Sequence, residues 1–512
     1  METYTLYEQE KYNAIQMILP VAVGLTIPED DPLYTFLEVM KGVDLTPYVR
    51  PQGRRGRQGY DGTRMLKIIL FAYMNEIFSL RKIAAACRTD TRMMYLAGEE
   101  CPSFKTIGAF ISQRLRGSVE EVMVDINRQI FRLDKVDTAE IYLDGTALEA
   151  NANKFSFVWK KTAQKTLARK LASIAALAAK EVIAMPAAGG SAGGQAVLAV
   201  LKDRMAAEGI TAVHGKGQRK TAVQRTYDEM AKDVAKAEEC EERIAICGPD
   251  RNSYSKVDHD ATFMHMKYDY YNHTGVFKPG YNVQLAMTDE YIATMYCSNA
   301  RSDSRTLPTV MDMFKDQYGR HPVTLTADAG YGSYNNYMYC LKKGIAAYIK
   351  YSTYRLDKHR PAKPYDASRF VWQGDRFICP QGQPLTFEDE VSSQDQGILR
   401  IISHYRCHQC GSCAHHDECT KSDQGRQIQH EPILHELRAH ARQLLDSERG
   451  RQLRTHRSIY SEGTFGVIKQ DYQYVRLHRR GMENVKTELA LVVIGFNLRK
   501  YHNKIHRPTI IS

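Results

Sequence analysis

No run of about 18 apolar residues occurs anywhere in the 512-residue chain, so no membrane-spanning helix is expected. The opening residues, METYTLYEQEKYN, lack the basic start and apolar stretch of a secretory leader. The expected compartment is therefore the cytoplasm. The chain also lacks the look of a disulfide framework. Its 11 cysteines are few for 512 residues, and four of them crowd together, which points to a metal. None of the 31 tyrosines is singled out by its surroundings as a nucleophile.

What is present is an ordinary globular composition, with 43% hydrophobic and 25% charged residues. A chain of this length predicts two to four domains. The formal charge is +11, a weak pointer to a polyanionic partner. The excess is concentrated late. From Arg449 onward, 13 Lys or Arg face 4 Asp or Glu. A solvated basic helix face is the bland alternative.

Pro20, Pro28 and Pro32 break the first segments, and RPQGRRGRQGYDG is a loop rich in Gly and Arg. From Thr63 to Arg116, apolar residues recur every three or four positions, which predicts short helices. Ser103 is the expected N-cap of one of them. Lys105, Arg114 and Arg116 are placed to meet phosphates if these helices bind DNA; plain helical packing is an equal reading. Ile141, Tyr142 and Leu143 are strand formers, and Asp144-Gly145 is expected to end that strand. Residues 160–247 read as two long polar helices, split by a flexible GGSAGG breaker at 189–194 and interrupted again at VHGKGQ. KPGYNVQLAMT and YIATMYCSN alternate with period two and predict paired antiparallel strands turning at Asp289-Glu290. A helix at Leu307–Tyr318, a strand ending at Asp328, a helix at Tyr334–Lys343 and the strand IAAYIKY follow. After a segment containing proline and cysteine (352–430), the chain is expected to close in helices that carry Glu462.

Without the inserted segments, this is the element order of a ribonuclease H-like domain, an α/β fold. Three carboxylates converge there from two strand ends and a helix: here Asp144, Asp328 and Glu462. Transfer of a phosphodiester needs an activated oxygen nucleophile and relief of charge at phosphorus. Two divalent cations supply both. Mg2+, or Mn2+ in its place, is a hard ion that takes oxygen ligands, so clustered carboxylates are a sensible holder. Asp258, Asp260 and Asp303 either cap turns or stand near such ions.

The sequence resembles a known family in five ordered blocks. They are GYDGTRMLKIILFAYMNEIFSLRKIAAACRTDTRMMYLAG with PSFKTIGAFISQR; YLDGTALEANANKFSFVWKK; SKVDHDATFMHMK with KPGYNVQLAM; TADAGYGS; and RSIYSEGTFGVIKQ with RRGMENVKTELALVVIGFNLRK. These blocks are similar to the DDE-type bacterial insertion-sequence transposases, within the insertion-sequence family numbered eleven eighty-two. The resemblance implies that Asp144, Asp328 and Glu462 are the catalytic, metal-binding residues of a transposase. Such an enzyme cleaves and joins DNA. Its partners would be the element's terminal inverted repeats and a target DNA. A homodimer is expected in the DNA complex, with no membrane partner and a place at the bacterial nucleoid. Relatives also carry a lysine seven residues after the Glu, here Lys469, as a DNA contact. Their arginine stands four residues before the Glu, but here that position is Ser458 and the arginine is Arg457, which leaves the role of Arg457 open. Where relatives read Tyr-Asp-Pro, this chain has Tyr60-Asp61-Gly62, which predicts a looser turn.

The implied layout is an all-α DNA-binding segment at 1–135, a catalytic core at 136–159 and 248–351, a helical insertion at 160–247, a cysteine-containing insertion at 352–430, and closing helices at 431–512. Cys407, Cys410, Cys413 and Cys419 have spacing that suits structural Zn2+; an iron–sulfur cluster or no metal are the alternatives. Two rivals to the transposase reading remain. One is a domesticated DNA-binding protein without activity. The other is a metal-dependent nuclease that cannot transfer strands.

Overall fold

The computed structural model describes residues 27–49, 59–98, 100–187, 189–213, 219–266, 276–359, 363–395 and 397–506. Pro20, the Arg-rich stretch at 50–58 and most of VHGKGQ lie outside them.

A six-stranded mixed sheet forms the centre. Its strands are β1 (Glu140–Glu149), β4 (Thr262–Met266), β5 (Val276–Thr288), β6 (Tyr291–Ser298), β7 (Thr324–Ala327) and β8 (Ala346–Ile349). Between β1 and β4 in the chain, β2 (Phe157–Trp159) and β3 (Ser253–Ser255) pair with each other. β5 lies between β1 and β6 and is antiparallel to both. On its other side, β1 pairs with β7, and β7 with β8, in parallel. The path β6-β5-β1-β7-β8, two antiparallel joints and then two parallel ones, fits the order expected of a ribonuclease H-like sheet. β4 adds to the outer edge of β5. The β5–β6 turn falls at Asp289-Glu290 as expected, with Asp289 at φ 52°.

Two expectations need correction. Asp144-Gly145 does not end β1. The strand runs on to Glu149, because β5 is long enough to pair with all of it, Gly145 opposite Gln284. Nor is GGSAGG a flexible breaker. Most of it is the first turn of a helix, Gly190–Ala207, which follows Lys160–Lys180 and is separated from Ala222–Cys247 by the expected break around VHGKGQ. The physical reason is close packing. A methyl group on Gly194 would stand 2.6 Å from the Val234 side chain and 3.4 Å from Ile174. The glycines that look like a linker let three helices meet around Ile174, Val197, Leu201 and Val234, in a core of their own.

The Thr63–Arg116 region is helical as expected. Ser103 caps Phe104–Ala109 by accepting the Thr106 N–H at 3.2 Å. Asp61 caps Gly62–Met74 by accepting the Arg64 N–H at 2.7 Å, so Asp61-Gly62 opens a helix instead of making a loose turn. These helices share one continuous core with the sheet, running from Leu33 to Tyr501. Its central piece is the helix Met482–Ile505, buried on nearly every side from Val485 to Leu498. It crosses Gly62–Met74 so closely that a methyl group on Gly495 would meet the Tyr73 carbonyl at 2.6 Å. Asn497 and Asn127 join it to β6: Asn497 donates to Asn127 Oδ1 at 2.7 Å and to the Ile292 carbonyl at 2.8 Å, and accepts the Ile292 N–H at 3.0 Å. Buried amides so fully satisfied fix the relative position of helix and strand.

After β8, a second sheet of five strands carries the cysteines: β9 (Val371–Trp372), β10 (Phe377–Ile378), β11 (Pro384–Asp395), β12 (Ile398–Arg406) and β13 (Gln427–His430). Helices Pro432–Asp446 and Glu448–Arg457 then bring the chain back to the first sheet.

Candidate active site

The parallel half of the central sheet sets three side chains in a row. Leu143 pairs with Ala327, and Ala327 with Ile349, in the last rungs of β1-β7-β8. The next residues, Asp144, Asp328 and Lys350, therefore stand side by side. This is the carboxyl edge of parallel strands, where open α/β sheets place their ligands. Asp144 is held at 16% side-chain exposure, and Asp328 caps a tight turn through the Gly330 N–H at 2.8 Å. One oxygen of Asp144 accepts its neighbour's Gly145 N–H at 2.9 Å. The other accepts Arg457 Nη1 at 3.1 Å, a pair only 12% and 16% exposed.

That ion pair gives Arg457 a partner on the strand that carries Asp144. The helix carrying Arg457 passes into a π-helical turn at Ser458–Glu462. In an α-helix, residues five apart point about 140° away from each other. A π turn holds one more residue, so it absorbs the extra position and brings Arg457 and Glu462 back towards one face. Glu462 is exposed at the end of this turn, and the turn packs against β1. A short α segment, Gly463–Gly466, leads to a second π turn, Val467–Asp471, where Lys469 donates to the Thr146 hydroxyl. Thr146 and Asp144 lie two apart on β1, hence on one face of the strand. Both cations thus tie the Glu462 helix to the strand that carries Asp144.

Asp303, left between two readings by sequence, is drawn to this site. It accepts Asn282 Nδ2 at 2.7 Å and Gln284 Nε2 at 2.8 Å, both from β5. A methyl group on Gly145 would stand 2.8 Å from one of its oxygens, and one on Gly330 3.6 Å from the other. It therefore reaches both the Asp144 and the Asp328 neighbourhoods. Asp258 and Asp260 are not brought there. Asp258 accepts the Tyr281 hydroxyl at 2.9 Å, and Asp260 the Met482 N–H at 2.7 Å, so they anchor the last long helix.

Sequence reasoning missed two further groups. Tyr331, buried beside the acids, donates to Gln284 Oε1. Burial first, then the charges of Asp303, Asp144 and Asp328, push its phenol well above the usual range, so it stays a neutral donor. Burial, then Arg457 and Arg454, lower Lys350, while Asp328 opposes them. The signal for Lys350 was its rank: it ends a strand as Asp328 does. Lys105 is exposed on a helix and Arg116 in the turn after Phe110–Arg114, and Arg114 is partly covered, lying over the Phe110 ring.

The donors near the sheet edge are oxygens, the kind a hard divalent ion selects. Asp144 and Asp328 follow paired rungs of neighbouring strands, and Glu462 is exposed on the helix that Arg457 ties to β1. Among the described residues, no three His, Cys, Asp or Glu side chains are already drawn around one point.

Residues 378–502 match the family model described as a transposase DDE domain, and residues 24–113 match one described as a transposase domain. Glu462, Lys469 and Arg457 fall inside the first match; Asp144 and Asp328 precede it. No curated protein matches the chain. A mixed α/β structure with this match fits a ribonuclease H-like fold. Among the described residues no helix is long and apolar enough to cross a membrane.

Proposed function

We propose that the chain is a DDE transposase of an insertion sequence, in the family numbered eleven eighty-two, which binds the element's terminal inverted repeats and cuts and joins DNA. One observation carries this reading. Asp144 and Asp328 leave neighbouring strands together, and Arg457 and Lys469 fasten the Glu462 helix to the same strand. The two transposase-domain matches support it.

Asp144, Asp328 and Glu462 hold Mg2+ or Mn2+. When bound, a pair of such ions supplies charge relief at phosphorus and an ionised nucleophile at neutral pH. The protein's own groups do the rest. Arg457 orients Asp144 through its Nη1 bond to the carboxylate. Lys350 and Lys469 add positive charge where a phosphate backbone would lie. Tyr331 holds Gln284, and Gln284 holds Asp303, so the floor of the site keeps its shape as charge builds above it. The helices of 1–135 and the basic C-terminal surface grip the DNA. The segments 160–247 and 352–430 are insertions into a core formed by 136–159, 248–351 and 431–512. Two DNA ends must be held together, so the working form is a homodimer on DNA. It acts in the cytoplasm, at the nucleoid.

The test is end cleavage and strand transfer by purified protein on a DNA end from the element's flank, with Mg2+, comparing wild type with Asp328→Ala. Cleavage and joining that the variant loses support the proposal. Cleavage without joining indicates a nuclease. Salt-sensitive binding without cleavage, in any divalent metal, indicates a DNA-binding protein that has lost its activity.

A further inference from the structure

The cysteines gather in a cavity that the catalytic reading does not use. It is lined by Cys379, Cys407, Cys410, Cys413, His416 and Cys419. Cys379 comes from the turn between β10 and β11, 28 residues before the C-x2-C-x2-C-x5-C run that spacing alone would select. The fold closes that distance. Cys379 and Cys419 pack against the same small core in which Cys407 and Cys410 are buried.

The backbone is arranged as a thiolate cage requires. In the Cys379 turn, the Cys379 N–H bonds the Gln383 carbonyl at 2.9 Å, the Gly382 N–H bonds the Cys379 carbonyl at 2.9 Å, and the Gln383 N–H points at Cys379 Sγ at 3.3 Å. Across the cavity, the Arg426 N–H points at Cys410 Sγ at 3.3 Å, and the Cys413 N–H bonds the Cys410 carbonyl at 3.1 Å. A thiol is a weak acceptor. Backbone N–H groups aimed at sulfur are much better matched to thiolates, and outer-sphere donors of this kind orient metal ligands. The second turn also closes on Gly425, at φ 91°, where a methyl group would stand 2.3 Å from the Cys407 carbonyl. Only glycine fits there.

This unit also needs a staple. Its core holds only Phe370, Phe377, Leu385, Tyr405, Ile428 and two cysteines, while most of β11 is exposed. A unit with so small a core is marginal without a cross-link.

We propose that this cavity binds one structural Zn2+ through four thiolates, with Cys379 and Cys410 among them and two more from Cys407, Cys413 and Cys419. Ligation follows zinc's preference for tetrahedral sulfur. Each ligand thiol gives up its proton to solvent as its sulfur bonds the ion; no redox change occurs. Among the described residues, no such set is already closed around one point, so the sulfurs rotate inward on binding. The site is independent of the carboxylate centre and of the transposase reading.

The test uses the full-length protein, purified without chelator. Elemental analysis should find one zinc per chain, and cobalt substitution should give the visible bands of a tetrahedral thiolate site. Cys379→Ser should weaken zinc retention against a competing chelator on the order of a hundredfold, the share of one ligand in a structural site. Should that variant fail to fold, Cys379→His keeps the test open: it should retain the metal and alter the cobalt spectrum. Cys101→Ser, at an exposed cysteine outside the cavity, should change nothing. Protein without zinc that also refuses cobalt overturns the proposal, as does iron in its place. So does a Cys379 variant that holds zinc as tightly, with an unchanged cobalt spectrum.

Discussion

The two halves of the carboxylate site are built in opposite ways. Asp144 stands within a strand whose rungs fix both its neighbours, and Asp328 directly follows the last rung of β7 and caps the turn after it. Glu462 stands on a helix wound irregularly through two π turns, exposed, and located by the long side chains of Arg457 and Lys469. The strand half is positioned by hydrogen-bond register, which cannot slip without turning every side chain over. The helix half is positioned by two tethers, which can yield. A site with one rigid and one adjustable wall can admit a large polymer and then close on it.

The sharpest break in that comparison is on the rigid side. Asp144→Asn or Asp328→Asn should lower DNA cleavage by at least about a thousandfold while leaving repeat binding intact, measured by end cleavage and by gel shift. On the adjustable side the effects should be graded. Arg457→Ala removes a tether and a mostly covered ion pair with Asp144. Cleavage should fall roughly ten- to a hundredfold, and thermal melting should show a loss of about 1–3 kcal/mol.

The π turn can be tested by length. Deleting Ile459, which is 60% exposed, should restore an α-helix with Arg457 four residues before the Glu, and cleavage should stay within several-fold of wild type. Inserting one alanine after Ile459 should turn the helix by about 100° and reproduce the Arg457→Ala defect. If the two changes are equally damaging, the π turn is not acting as a register device. The smallest effect is expected at Tyr331→Phe. Its phenol is held well above 10, so the shape of the pH–rate profile up to about pH 10 should not change when the hydroxyl is removed, although the rate falls modestly.

The same contrast governs what could be read in advance. The strands β5 and β6 and the turn between them were legible because period-two patterns and turn residues are local signals, whereas Asp144 and Asp328 were picked out by element order and by the resemblance. The length of β1 was not, because Asp144-Gly145 carries a turn signature that pairing with Gln284 overrides. The helix starting at Gly190 was hidden for a similar reason: its glycines are there for neighbours 40 residues away, at Val234. Asp303 could not be assigned from its surroundings in sequence, since what draws it in are Asn282 and Gln284 on another strand. The π turn left one trace, an arginine one place out of step, but only the Arg457–Asp144 pair gave that trace a meaning.

The helix Met482–Ile505 has a consequence for how the chain is made. It fills the centre of the core shared by the first helices and the sheet, yet it is synthesised on the order of 350 residues after the helix Val119–Asp134. At about 5–20 residues per second, the helix Val119–Asp134 leaves the ribosome tens of seconds before its packing partner exists. Until then Ile126, Ile130 and their neighbours have no complete core to enter. A message cut short before residue 482 would therefore yield a chain without its keystone helix, suited to degradation.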